Sequence, residues 1–149
     1  MYARDAWRKG AAELRAAAPR HVLFLCVANS ARSQMAEGIA RDLAPPEVRI
    51  SSAGSEPTAV RAEAVEVLRE IGIDITGQRS KGVDDIERPV DAVITLCAEE
   101  VCPVWLEAAT RLHWGLPDPA AVAGTPAERL DAFRAVRDEL GTRLAVLFG

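Results

Sequence analysis

The run HVLFLCV, residues 21–27, limits this chain more than any other feature. After His21 it is continuously apolar and of strand length, with no polar alternation, the pattern of a strand covered on both faces. Such a strand belongs inside a parallel sheet with helices above and below it. The rest of the chain agrees. Residues 31–43 read as a helix stopped by Pro45-Pro46, VRISSAG (48–54) as a second strand turning at Gly54, and residues 59–71 as a helix. That helix carries Val60, Ala64, Val67, Leu68 and Ile71 on one face, with Gly72 just past its end. VDAVITLC (90–97) reads as another buried strand and AEEVCPVW (98–105) as a loop or broken helix at Pro103. TRLHWG (110–115) reads as a short strand, and residues 126–148 as a long amphipathic helix with Thr125 as N-cap and Pro126 at N1. The expected fold is α/β: a single-domain three-layer sandwich, with a four-stranded parallel sheet flanked by helices. Ligands then belong outside the carboxyl ends of the strands, where Cys26 and Cys97 both fall.

Length and charge narrow the function. At 149 residues one domain is expected over 21–149, preceded by an extension, 1–20. Trp7, Ala11, Leu14 and Ala18 lie on one side of a helix over 5–18, closed by Pro19, which either docks on the domain or meets a partner. A net charge of -4 argues against nucleic-acid or acidic-membrane partners, and no window has the roughly 18 apolar residues of a membrane span. The first twenty residues lack the apolar centre of a secretion signal, so a cytoplasmic location is expected. Three cysteines do not build a disulfide scaffold; in a reducing compartment they point to metal, catalysis, redox switching or plain packing.

Between strand and helix, residues 27–33 form a polar loop, Val27, Ala28, Asn29, Ser30, Ala31, Arg32 and Ser33. Backbone N–H groups converging there beside a helix N-terminus bind a tetrahedral oxyanion. Arg32 adds a bidentate fork, and the same donors favour the thiolate of Cys26. Asn29 tolerates left-handed backbone, while Ser30 and Ser33 bring hydroxyls. On the residues alone a second reading stays open, Cys26 as a small hydrophobe ending a core strand.

The other cysteines, Cys97 and Cys102, form C-A-E-E-V-C, too wide for a CxxC motif and lacking a second pair for zinc. Five residues apart on a helix, their side chains point well away from each other. Joining them requires the segment to unwind, and a core Cys97 with an incidental Cys102 is the plain alternative. Asp118, in GLPDPA, reads by itself as a turn residue. His21 and His113 read as packing or surface groups, Asp84, Asp85 and Glu87 as a solvated face, and Trp105 as core or half-buried.

From residue 21 onward the chain resembles the thioredoxin-coupled arsenate reductases of the low-molecular-weight tyrosine phosphatase superfamily. The resemblance rests on CVANSARSQMAEG, SSAG, GIDI, VITLC, HWGLPDPA and FRAVRDEL, in that order. It implies a relay in which Cys26 attacks arsenate, Cys97 attacks the sulfur of the adduct and expels arsenite, and Cys102 takes over Cys97 in an accessible disulfide. Thioredoxin is the implied reductant, with no cofactor, and Asp118 is the implied general acid. Phosphatases of the superfamily tend to place an aromatic after Asp-Pro, where this chain has Ala120, which favours a compact inorganic oxyanion. Some members hold potassium through residues matching Asn29, Glu37, Ser52 and an aspartate. Lys81 stands at that last position, so no potassium is expected. Several members space the second and third cysteines more widely. The alternative activity is that of a tyrosine or small-phosphoester phosphatase using Cys26, Arg32 and Asp118 alone, and a third reading is a non-catalytic oxyanion or redox-reporting module.

Overall fold

The computed structural model describes residues 6–98 and 103–149; Cys102 and Asp5 lie outside the described residues. Strand β1 (His21–Cys26) is buried along its whole length, as its unbroken apolar run requires. Its neighbours are β2 (Arg49–Gly54) on one side and β3 (Ala92–Thr95) on the other, with β4 (Thr110–His113) beyond β3. All three pairings are parallel, giving the order β2-β1-β3-β4. The chain therefore leaves β1 toward one edge and returns to its opposite side, so the two crossovers part at the carboxyl end of β1.

Alternate residues of the sheet feed two cores. Val22, Phe24, Ala92 and Ile94 face a large cluster built by helices α1 (Ala6–Ala17), α2 (Arg32–Leu43), α3 (Ala62–Arg69) and α4 (Pro126–Phe148). Leu23, Leu25 and Val93 face the thinner second layer, where Ile86, Val90 and Trp105 cover them beside the 3-10 turn Val83–Asp85. The longest element is α4, started by a capping box in which Glu128 N donates to Thr125 Oγ1 and Thr125 N donates to Glu128 Oε1. It buries Phe133, Val136, Leu140, Leu144 and Leu147. Each such side chain contributes about 1.5–3 kcal/mol relative to exposure.

The extension docks on this frame. Ala11 and Leu14 of α1 are buried, and Trp7 meets Trp114 edge-on with ring centroids 6.3 Å apart. The Arg143 guanidinium lies over both rings, at 5.1 and 5.8 Å from their centroids.

Several boundaries differ from the sequence expectation, and strand β4 ends at His113 rather than 115. Helix α3 begins at Ala62 rather than 59, because residues 56–61 run extended to hydrogen-bond the loop after β1. It ends at Arg69, where Gly72 at φ 81 allows Gly72 N to donate to Arg69 O and Ile73 N to Leu68 O. Strand β3 is shorter than 90–97: Leu96 N still donates to Leu25 O, but Cys97 lies past the ladder.

Helices α3 and α4 are joined by charge. Arg134 first, then Arg137, donates to the Glu70 carboxylate and holds its pKa at about 2, below the ordinary 4.5. A carboxylate depressed in the folded state contributes stability that is complete above its unfolded pKa and lost as pH falls through its folded one. Between about pH 4.5 and 2 the melting temperature of Glu70→Gln is therefore expected to fall less steeply than that of the parent, read by circular dichroism melts. Parallel curves would exclude this contribution.

Candidate active site

Cys26, the last residue of β1, opens onto a hollow of about 190 Å³ lined by Cys26, Val27, Ala28, Ser30, Ala31, Arg32 and Asp118. Drug-sized ligands need roughly 300 Å³ or more, so the space suits a small ion. Its wall is shaped from outside. The carbonyls of Val27, Ala28 and Ser30 accept from the backbone N–H groups of Glu56, Thr58 and Arg61, at 2.9, 3.1 and 2.9 Å. In a trans peptide the carbonyl and the following N–H point oppositely, so those planes turn the N–H groups of Ala28, Asn29 and Ala31 away from the 56–61 segment. The result is a ready concavity for an anion beside the first turn of α2.

The loop needs two special backbone positions. Asn29 sits at φ 48, in the left-handed region that asparagine tolerates better than most residues. Gly54 pairs in register with Cys26, and a Cβ there would lie 2.3 Å from Val27 O and 2.9 Å from Asn29 N. Only hydrogen fits.

Arg32 is 4% exposed, and its Nη1 donates to Leu116 O at 2.9 Å and Leu96 O at 3.4 Å. These carbonyls follow β4 and β3, so the guanidinium is braced by the carboxyl end of the sheet. Asp118 Oδ2 lies 4.0 Å from Arg32 Nη2, and Asp118 Oδ1 accepts from Ala120 N at 3.0 Å, which fixes the carboxyl. Cys26, Arg32 and Asp118 thus meet around one hollow.

The expected oxyanion set divides in two. Val27, Ala28, Ser30, Ala31 and Arg32 line the hollow, whereas the side chains of Asn29 and Ser33 are fully buried and act behind it. Ser33 Oγ lies 2.8 Å from Cys26 Sγ, and Asn29 Nδ2 donates to Ser33 Oγ at 2.7 Å and to Ser52 Oγ at 3.0 Å. Since Ser33 Oγ accepts from Asn29, its proton is available to the sulfur. Ser52 donates to Glu37 Oε1 at 2.5 Å. Glu37 is 2% exposed, and a carboxylate so buried requires compensation. Arg41 Nη2 supplies it at 2.8 Å and Lys81 Nζ at 3.5 Å.

With Lys81 on Glu37, adding potassium in place of sodium at equal ionic strength is expected to change neither melting temperature nor catalytic efficiency. A specific rise with potassium would overturn this.

Cys97 and Cys26 differ in state. Cys26 is a free thiol, and Cys97 is disulfide-bonded. Cys97 is buried and lies two residues past the end of β3, next to the strand that ends at Cys26. His21 is a packing residue, its Nδ1 2.9 Å from Pro89 O and its Nε2 2.8 Å from Ser51 Oγ; His113 pairs with Thr95 Oγ1 at 2.6 Å. Trp105 belongs to the second core. Sequence reasoning passed over the 56–61 segment, Gln34 and the close approach at Gly54. Of these only the glycine, at the end of SSAG, carries a local signal.

Residues 21–149 match the family described as low molecular weight phosphotyrosine protein phosphatase. A relative from Halalkalibacterium halodurans, an arsenate reductase, is 44% identical over 126 residues, covering 83% of this chain and 91% of its own. A solved arsenate reductase in the phosphate binding state superposes with a TM-score of 0.71 at 34% identity, over 87% of this chain and 96% of its own. A thioredoxin-dependent arsenate reductase of Corynebacterium glutamicum does so with a TM-score of 0.60 at 29% identity, over 92% and 69%. The loop at Cys26, the parallel sheet that carries it and these likenesses agree: the chain belongs to the low molecular weight phosphotyrosine protein phosphatase family, on the branch that holds the arsenate reductases.

Proposed function

We propose that the protein reduces arsenate to arsenite by a relay of three cysteines, Cys26, Cys97 and Cys102, with thioredoxin as reductant. The observation that carries the reading is the pairing of a free Cys26 thiol in an ion-sized hollow with a disulfide-bonded Cys97 at the end of the adjacent strand. Arsenate enters the hollow against the loop N–H groups and the Arg32 fork. The Cys26 thiolate forms a bond to arsenic while an oxygen leaves as water, its proton supplied by Asp118. Cys97 as thiolate then attacks Cys26 Sγ. The S–As bonding pair stays with arsenic, which departs as arsenite, and a Cys26–Cys97 disulfide forms.

Cys102 attacks Cys97 in turn, returns Cys26 as thiolate and leaves Cys97 joined to Cys102. The two electrons come from the Cys97 and Cys102 thiols. A dithiol restores them, and the thioredoxin dependence of the Corynebacterium glutamicum relative supports thioredoxin in that place. Ala120 after Asp118-Pro119 puts a methyl group where phosphatases of the superfamily tend to place an aromatic, which favours the bare oxyanion.

Arsenate-dependent oxidation of NADPH in the presence of thioredoxin and thioredoxin reductase tests the proposal. Consumption matched one-to-one by arsenite is expected. Hydrolysis of para-nitrophenyl phosphate with no arsenate-dependent consumption would move the protein to the phosphatases.

A further inference from the structure

A nucleophilic thiolate at Cys26 is favoured when the Ser33 hydroxyl donates to it, and the direction of that hydroxyl is decided by buried amides behind the loop. Gln34, fully buried in α2, donates from Nε2 to Asn29 O, Asn29 Oδ1 and Arg79 O, each at 3.0 Å. Two of these acceptors are backbone carbonyls, so the Gln34 amide has one orientation. Its Oε1 faces the other way and accepts from Gln78 Nε2 at 2.7 Å.

The Asn29 amide is thereby oriented as well. Its Oδ1 accepts from Gln34 Nε2 and from the backbone N–H of Lys81 at 2.9 Å. Its Nδ2 is left toward Ser33 and Ser52. With the Asn29 amide reversed, Oδ1 would face Ser33 and draw the hydroxyl proton away from sulfur.

We propose that Gln34 is a positioning residue for the Cys26 nucleophile: anchored on the Asn29 and Arg79 carbonyls, its amide locks Asn29 in the orientation that turns the Ser33 proton onto Sγ. Gln34 touches neither substrate nor sulfur. The chain of contacts runs Gln78, Gln34, Asn29, Ser33, Cys26, and links the loop at 78–81 to the nucleophile. Among the described residues, the charged groups around Cys26 are Arg32 and Asp118 at the hollow, and Glu37 with Arg41 and Lys81 behind Ser52. None of them is altered by a neutral substitution at Gln34.

The inference rests on Cys26 being the nucleophile and not on the identity of the oxyanion, so it is tested without arsenate. In a Cys97→Ser, Cys102→Ser background Cys26 is the sole thiol. The ratio of its iodoacetamide alkylation rates at pH 6.5 and pH 9 reports how far the thiolate is favoured. Gln34→Met is expected to lower that ratio about fivefold, the effect of one neutral hydrogen bond. Ser33→Ala is expected to lower it at least as far, since the Lys81 backbone N–H still holds Asn29 Oδ1 in Gln34→Met, and the two together no further than Ser33→Ala alone, because they cut the same chain. An unchanged ratio in Gln34→Met overturns the proposal, and so does a combined loss equal to the product of the two. Gln78→Met removes only the outer support and is expected to lower the ratio about twofold. If Gln34→Met does not fold, an unchanged ratio in Gln78→Met overturns the proposal in its place.

Discussion

Cys97→Ser is expected to stop arsenate turnover at a single event per molecule, with multi-turnover arsenite formation down by on the order of 10³-fold or more, as when an essential nucleophile is removed. Serine is nearly the size of cysteine but far less acidic, so no anion is available to attack Cys26 Sγ and the arsenic adduct has no thiol route onward. Arsenite quantified against time should show this as a flat trace. Any hydrolysis of para-nitrophenyl phosphate would draw on Cys26, Arg32 and Asp118 and not on Cys97, and is expected to stay within the same order of magnitude as in the parent. Because Cys97 is buried, the new hydroxyl costs about 1–3 kcal/mol if it finds no partner. A melting curve is the companion measurement. Sustained arsenite production by a folded Cys97→Ser protein would remove the relay from the mechanism.

Gly54→Ala is expected to disable every activity of the hollow at once. The added methyl would lie 2.3 Å from Val27 O, 2.9 Å from Val27 C and 2.9 Å from Asn29 N. These are backbone atoms of the anion loop, held from outside by Glu56 N, so no side chain can rotate to make room. The loop must move, and a displacement near 1 Å at a reacting centre costs about 10²-fold in rate. Overpacking also costs about 1–3 kcal/mol in stability. Gly38→Ala separates the two effects. A Cβ at Gly38 lies 2.6 Å from Ile75 Cγ2 and 2.9 Å from Leu68 Cδ1, both side-chain atoms away from the hollow. Gly38→Ala should therefore destabilise comparably while keeping kcat per folded molecule within about threefold. Equal kcat losses in both variants would show that Gly54 serves stability alone.

Much of the site was legible before any coordinates. The unbroken apolar run of β1 required a doubly covered strand, and its polar exit followed by a helical pattern placed Cys26 and Arg32 at an anion cradle. The long helix α4 was readable from Thr125 and Pro126 to its end because capping and amphipathic spacing are local signals. Legibility failed where backbone atoms do the work. Leu96 and Leu116 hold Arg32 by their carbonyls, and nothing in a leucine announces that. Residues 59–61 leave their helical pattern because Arg61 N, following Glu56 N and Thr58 N, binds the loop, a tertiary demand that overrides spacing. Asn29 was readable as a left-handed residue, but its two-sided amide network depends on Gln34 and Lys81, which the fold alone brings together.

The outward tethering of Val27, Ala28 and Ser30 also determines where selectivity can arise. A cradle shaped by Glu56, Thr58 and Arg61 is complete before any ion arrives, and its loop presents backbone N–H donors and the Arg32 guanidinium beside Cys26 and Asp118. Such a surface measures size, charge and tetrahedral shape, and on those properties phosphate and arsenate are near twins. Phosphate must therefore compete for the same hollow at nearly equal affinity. In the proposed relay the choice between the two ions falls to the following step, where an arsenic bound to sulfur could accept an electron pair and leave, and a phosphorus could not. Discrimination in this protein is a matter of which occupant can proceed, not of which one enters.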